Sequence, residues 1–157
     1  MDNAGAPAGD SSPVRVWLVD DSRNFRRLVA DLLDSEQGFE CSRQFSSAEA
    51  VLDALTRERP PDVILLDIEM GRLSGLEAIR PIKSIASSTH VLMLTSYSDN
   101  FTRLQALRNG AADFLSKSRD VIDLSHHIRQ VLERETAPKL KAESEASSDP
   151  DIQTFVR

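Results

Sequence analysis

Five short strand-like runs alternate along the chain with stretches of helical periodicity. The runs are Val14–Val19, Phe39–Phe45, Val63–Leu66, Val91–Leu94 and Asp113–Leu115. Between them, apolar residues return at helical spacing. Phe25, Leu28, Val29, Leu32 and Leu33 mark a first face, and Ala48, Val51, Leu52 and Leu55 a second. Leu76, Ile79, Ile82 and Ile85 mark a third; Leu104 and Leu107 anchor a fourth, which Gly110 stops as a C-cap. Val121, Leu124, Ile128, Val131 and Leu132 mark a fifth. Strands alternating with helices predict a parallel sheet covered on both faces. Right-handed crossovers then give a doubly wound, flavodoxin-like (βα)5 α/β fold. Pro81 lies inside the third helical pattern, "LEAIRPIKSI", and is expected to kink or shorten that helix.

The runs end in an unusual way. "VRVWLVDD" closes on Asp20 and Asp21, "VILLDIEMGRLSG" passes into Asp67, "HVLMLTS" closes on Thr95 and Ser96, and "ADFLSK" closes on Lys117. Each alone has an ordinary explanation. Asp is a common turn residue. Asp20 or Asp21, just before Ser22, can N-cap the first helix. Together they fall at strand carboxyl ends, where sites form in this architecture. With a flavodoxin-like order, the first, third and fourth strands are neighbours and the acids converge with Thr95 on one rim.

That convergence has a cost. Three carboxylates about 5 Å apart, at an effective dielectric near 20, repel by about 3 kcal/mol per pair. The sum is on the order of the whole stability of a domain, about 5–15 kcal/mol. Such a cluster needs a proton, a cation, or both. Hard oxygen ligands with room for water suit Mg²⁺, which shares phosphate oxygens readily. A leftover carboxylate is then a nucleophile able to form an acyl phosphate, with the protein left mainly to position the group. Thr95 and Lys117 are the hydroxyl and the cation available to phosphoryl oxygens.

Composition narrows the partners. The chain has 157 residues and a formal net charge of -6, so it offers no basic footprint for nucleic acid or an anionic membrane. Its single cysteine, Cys41, reads as a small strand or core residue and fits a cytoplasmic setting. No apolar stretch approaches a membrane span. Residues 1–13 read as a disordered leader without the pattern of a secretory signal, 14–135 as the folded domain, and 136–157 as a disordered tail. The adjacent His126 and His127 point different ways on a helix and read as solvated rather than as a metal pair.

On these residues the sequence resembles the receiver domains of two-component response regulators. The likeness runs from Val14 to about Glu135. It is carried by "VDD", "LLDIEM…G", "LTS" and "FLSK" and by the separation of Thr95 from Lys117. It implies Asp67 as phosphoacceptor, with Asp20, Asp21, Asp67 and the backbone carbonyl of Glu69 holding Mg²⁺. It implies Thr95 as the switch hydroxyl, Lys117 as the ion-pairing lysine, and Phe114 as the aromatic switch residue, here without a Tyr hydroxyl. Ser96 is small, as access to the site requires. The sequence departs from the family at Gly71, where Pro is usual, and at Ser118, where Pro often follows the lysine. Glu69 and Tyr97 occupy positions that tune acyl-phosphate lifetime. The pattern without Pro at Ser118 is common in LuxR-type receivers, but only about twenty residues follow the fifth helix, too few for a DNA-binding domain.

The resemblance therefore implies a phosphorylation switch. The phosphoryl group comes from a sensor histidine kinase or a histidine phosphotransfer protein. The output surface is the fourth helix and fifth strand, read by a downstream protein or a second copy of the chain. Catalysis is confined to self-phosphorylation and self-dephosphorylation. The alternatives are a LuxR-type regulator truncated before its DNA-binding half, and a phosphate-independent pseudo-receiver. A flavodoxin would need a Ser/Thr/Gly-rich phosphate loop where "VDDSRNFRR" stands. A haloacid-type hydrolase would need a second Asp where Glu69 stands.

Overall fold

The computed structural model describes residues 12–96 and 99–136. Residues 1–11 of the expected leader, 137–157 of the expected tail, and Tyr97 lie outside the described residues. The elements run β1 (Val14–Val19), α1 (Arg23–Asp34), β2 (Phe39–Phe45), α2 (Ala48–Leu55), β3 (Val63–Leu66), α3 (Gly75–Ile85), β4 (His90–Thr95), α4 (Asn100–Asn109), β5 (Asp113–Ser116) and α5 (Leu124–Thr136). The strands form one parallel sheet in the order β2-β1-β3-β4-β5. The order reverses between β1 and β3, which makes that carboxyl edge the switch point.

Both faces of the sheet are buried, which is why β3 reads as an unbroken aliphatic run. Alternate residues feed two cores. Trp17, Val19, Ile64 and Leu66 pack with α2, α3 and Ala106 of α4. Val16, Leu18, Val63 and Leu65 pack with Val29 and Leu33 of α1 and Ile128 of α5. Helix starts are fixed by side-chain caps: Ser22, Ser47, Ser74 and Asp99 each accept the N–H three residues on. Gly110 ends α4 in the left-handed region, at φ 115°.

The helix faces depart from the periodicity. In α1 the buried residues are Val29, Ala30 and Leu33, while Leu28 is 51% exposed and Leu32 36%. In α4 the expected anchors Leu104 and Leu107 are 53% and 37% exposed, and the small Ala106 faces the core instead. An i, i+3, i+4 pattern is wider than the stripe a sheet can cover, so its edge residues stay in solvent. Val121 precedes α5 and is half-buried. Pro81 does not shorten α3: the helix continues to Ile85, and Ala86 N–H donates to Ile82 O at 2.8 Å. Pro81 sits on the exposed side of the helix, away from the sheet.

Candidate functional site

Asp20 and Asp67 sit one residue beyond neighbouring parallel strands, and the sheet itself fixes their backbones. Asp20 N–H donates to Phe45 O and Asp67 N–H to Val19 O, each at 3.0 Å. Both side chains are buried, Asp20 at 1% exposure and Asp67 at 6%. Asp21 is exposed at the mouth. The carboxylate oxygens of Asp20, Asp21 and Asp67 lie within 4.8 Å of one another.

Neither Asp20 nor Asp21 is the N-cap of α1. Ser22 fills that place, accepting from Phe25 N–H. Asp20 Oδ1 accepts from Ser22 N–H at 2.8 Å, and its carbonyl accepts from Arg26 Nη1 at 2.7 Å. Asp67 Oδ1 accepts from Ile68 N–H at 2.8 Å.

Lys117 enters from the next strand but one. Its N–H donates to Thr95 O at 2.9 Å. Its Nζ lies 2.6 Å from Asp20 Oδ2 and 3.2 Å from Asp67 Oδ2, and 4.4 Å from the centre of the Phe25 ring. Burial, and then the Asp20 charge, push the Asp67 carboxyl above its ordinary value, against the pull of Lys117 and of Ile68 N–H. Burial draws the Lys117 ammonium down, but the Asp20 hydrogen bond and the charges of Asp67 and Asp20 outweigh it and raise it. One lysine thus compensates only part of the charge.

Thr95 ends β4, 1% exposed, in register with Ser116. Phe114 is half-buried and packs against the α2/α3/α4 core rather than against the carboxylates. Ser96 is exposed. Beyond the acids, Asp21, Glu69, Met70, Gly71 and Thr102 help to line an open cleft of about 530 Å³. Gly71 adopts φ 34°, a conformation Pro could not take. At Ser118, where Pro is absent, side chains tie the turn. Ser116 Oγ accepts from Ser118 N–H at 3.2 Å, and Asp120 Oδ2 accepts from Ser116 N–H at 2.7 Å.

Three features escaped the sequence. Gly75 opens α3 directly against the phosphoacceptor candidate: a Cβ there would lie 1.9 Å from Asp67 O, and Gly75 N–H donates to Ile68 O at 2.8 Å. Its signal was a glycine at the first helical position, just after the Ser74 cap. Phe25 shows in the sequence only as one position of a helix face, with nothing to link it to Lys117. His127 is not merely solvated, since its Nε2 lies 3.5 Å from Asp120 Oδ1. Cys41 is half-buried in β2, its thiol pushed up to about 12 by burial and then by Asp34, so it stays a protonated packing residue.

A doubly wound sheet that gathers three carboxylates and a lysine at its carboxyl rim defines a class: an α/β protein with an acidic site at its strand ends. The sequence model of the response regulator receiver domain matches residues 16–129, and the chain belongs to that family. It is a receiver domain of two-component signalling, switched by phosphorylation. The protein-glutamate methylesterase/protein-glutamine glutaminase of Thermotoga maritima is 34% identical over 147 residues, which are 91% of this chain and 40% of that protein. The chain thus spans less than half the length of that relative. Among solved structures, the response regulator domain of Thermotoga maritima CheB superposes with a TM-score of 0.70 at 31% identity, covering 78% of this chain and 98% of that one. A LuxR-family response regulator from Aurantimonas gives a TM-score of 0.72 at 27% identity, covering 77% and 86%. Receiver domains take phosphoryl groups from histidine kinases or phosphotransfer proteins, bind Mg²⁺ at an acidic pocket, and have no catalysis beyond their own phosphorylation. Among the described residues, no helix is long and apolar enough to cross a membrane.

Proposed function

We propose that Asp67 is the phosphoacceptor. The observation that supports this is the meeting of Asp20, Asp21 and Asp67 within 4.8 Å with Lys117 bridging Asp20 and Asp67. The donor set fits Mg²⁺: hard oxygens, more negative charge than one lysine offsets, and an open cleft for water and phosphate. Asp20, Asp21 and Asp67, with the Glu69 carbonyl, are the residues that would hold it. When bound, it neutralises phosphoryl oxygens and keeps Asp67 ionised.

The chain's own groups supply the rest. Asp67 attacks phosphorus, an oxygen–phosphorus bond forms, and the phosphorus–nitrogen bond of the phosphohistidine donor breaks with its electron pair leaving on imidazole. Ile68 N–H and the close approach of Gly75 hold the Asp67 carboxylate and backbone in place. Lys117 pairs with the new phosphoryl charge. Thr95 turns its hydroxyl toward it, and Phe114 repacks in the space that movement leaves. The output contact is α4 with β5, where Phe101 is 70% and Leu104 53% exposed. These apolar residues suit a protein partner or a second copy of the chain. A cytoplasmic histidine kinase or phosphotransfer protein is the donor.

Incubation with phosphoramidate and Mg²⁺, read by intact-protein mass, tests the assignment. The expected result is one phosphoryl adduct, absent in Asp67→Asn and absent with EDTA. An adduct that survives in Asp67→Asn at the same yield overturns it. No adduct in the native protein, under conditions that label another receiver, makes the chain a phosphate-independent interaction module.

A further inference from the structure

Among the described residues, three neighbours constrain the Lys117 ammonium, and only two are charged. Asp20 and Asp67 hold it by ion pairs at 2.6 and 3.2 Å, and the Phe25 ring lies 4.4 Å from Nζ. Both carboxylates belong to the set that would hold a divalent cation. A cation taking those oxygens competes with Lys117 for them: Oδ1 of each already accepts a backbone N–H, from Ser22 on Asp20 and from Ile68 on Asp67, and Oδ2, the freer oxygen of each, is the one Lys117 holds. The ring face competes for nothing. It attracts the ammonium through its quadrupole, carries no charge for a second cation to claim, and is rooted in α1, whose Ser22 cap fixes the start of the helix. Phe25 is also half-buried against the α1/α5 core, so its position is set by packing.

We propose that Phe25 is a positioning residue for phosphorylation: its ring is the seat that keeps the Lys117 ammonium at the rim once metal occupies Asp20 and Asp67. This rests on the reading of Lys117 as the partner of the phosphoryl group. Removing the ring while keeping an apolar side chain leaves Lys117 free to swing into solvent, and phosphorylation slows although the acids are intact.

The experiment is a double-mutant cycle of Phe25→Leu and Lys117→Met, labelled with phosphoramidate and Mg²⁺ and followed by intact mass. Phe25→Trp is added as the ring-restoring variant. The Lys117 ε-methylene proton shift is read by NMR with and without Mg²⁺. Phe25→Leu is expected to slow labelling about fivefold, the size of a cation–π contact at a partly exposed site. Phe25→Trp recovers the native rate, and Phe25→Leu adds nothing in the Lys117→Met background. The ε-methylene protons lie upfield in the native protein, both metal-free and with Mg²⁺, and move downfield in Phe25→Leu. An equal slowing in both backgrounds reduces Phe25 to packing and overturns the inference. So does an upfield shift that vanishes when Mg²⁺ is added. If Lys117→Met labels at the native rate, the reading of Lys117 fails and this inference falls with it. If Lys117→Met is slow but uncoupled to Phe25, the inference alone fails.

Discussion

The two ends of the sheet use the same residue types to opposite effect. At the amino end, Lys83 Nζ donates to two carbonyls, Ser87 O at 2.8 Å and Thr89 O at 2.7 Å. Thr89, 1% exposed, donates its hydroxyl to Pro61 O at 2.7 Å. Asp62 accepts from Arg15 N–H at 2.8 Å while staying exposed. Each of these polar groups is satisfied by the backbone, either within a turn or across to a neighbouring segment. At the carboxyl end, Lys117 faces two buried carboxylates and a third lies within 4.8 Å. The polar groups of one end satisfy the backbone; the carboxylates of the other repel one another, and Lys117 offsets only part of their charge. Like charge gathered in a buried place costs stability, and its presence marks where the fold gives up stability for chemistry.

The largest break in that comparison comes from the two lysines. Lys117→Ala strands Asp20 and Asp67 without their cation. It is expected to lower stability by about 3 kcal/mol, the low end of what removing one partner from a buried pair costs. Mg²⁺ should recover much of the loss, because it can replace the missing charge. Lys83→Ala loses two hydrogen bonds to carbonyls beside solvent, for about 1 kcal/mol, and Mg²⁺ should raise its midpoint only as much as it raises that of the native protein, since the acidic site is intact in both. Urea unfolding of both variants, with Mg²⁺ and with EDTA, checks both statements. Equal Mg²⁺ responses would mean that the two ends do not differ as described.

Next in size is Gly75→Ala. A Cβ 1.9 Å from Asp67 O cannot be accommodated without moving α3 or the β3–α3 loop. Overpacking of this kind costs about 1–3 kcal/mol, and the displaced backbone should also slow labelling of Asp67. At the other end, Gly110→Ala meets Lys83 Cγ at 3.2 Å, the flexible stem of a side chain, and its main penalty is the φ of 115°. That substitution is expected to cost about 1 kcal/mol and to leave labelling unchanged. A labelling rate that falls equally in both variants would show that the site responds to stability in general rather than to the Gly75 contact.

How far the sequence could be read follows from the same contrast. Parallel strands buried on both faces leave long aliphatic runs, so β1, β3 and β4 were visible, as were the acids and lysine that end them. The sheet order then brought Asp20, Asp21, Asp67 and Lys117 together without any further information. The helix faces were harder. Periodicity chose Leu104 and Leu107, yet Ala106 is the buried residue of α4, because how closely a helix rests on a sheet is decided by side-chain volume across the contact. What Gly75 and Phe25 touch was illegible for a related reason, although a glycine just after the Ser74 cap marks the first of them as unusual. Their importance lies in distances to Asp67 O and Lys117 Nζ, between residues far apart along the chain, and no local pattern encodes those.

The smallest effect is the one most specific to the crowded end. In metal-free protein, the Asp67 carboxyl is held above its ordinary value by burial first and by Asp20 second. The folded state then binds a proton that the unfolded chain has already released. Stability from this group is therefore complete at low pH and falls as pH rises from about 4, the ordinary carboxylate value, through the raised one. This is opposite to the behaviour of a salt-bridged surface aspartate, whose contribution is lost on acidification. Asp67→Asn removes the ionisation. Without Mg²⁺ its urea midpoint at pH 7 should exceed that of the native protein, and the gain should shrink as the pH falls through the raised Asp67 value toward about 4, the ordinary carboxylate value. With Mg²⁺ the order should narrow or reverse, since only the native carboxylate contributes a charged ligand. Midpoints measured from pH 4 to pH 8, with EDTA and with Mg²⁺, decide it. An Asp67→Asn gain that is constant across that range would mean that Lys117 already compensates Asp67 in full, and that the rim needs no metal to be stable.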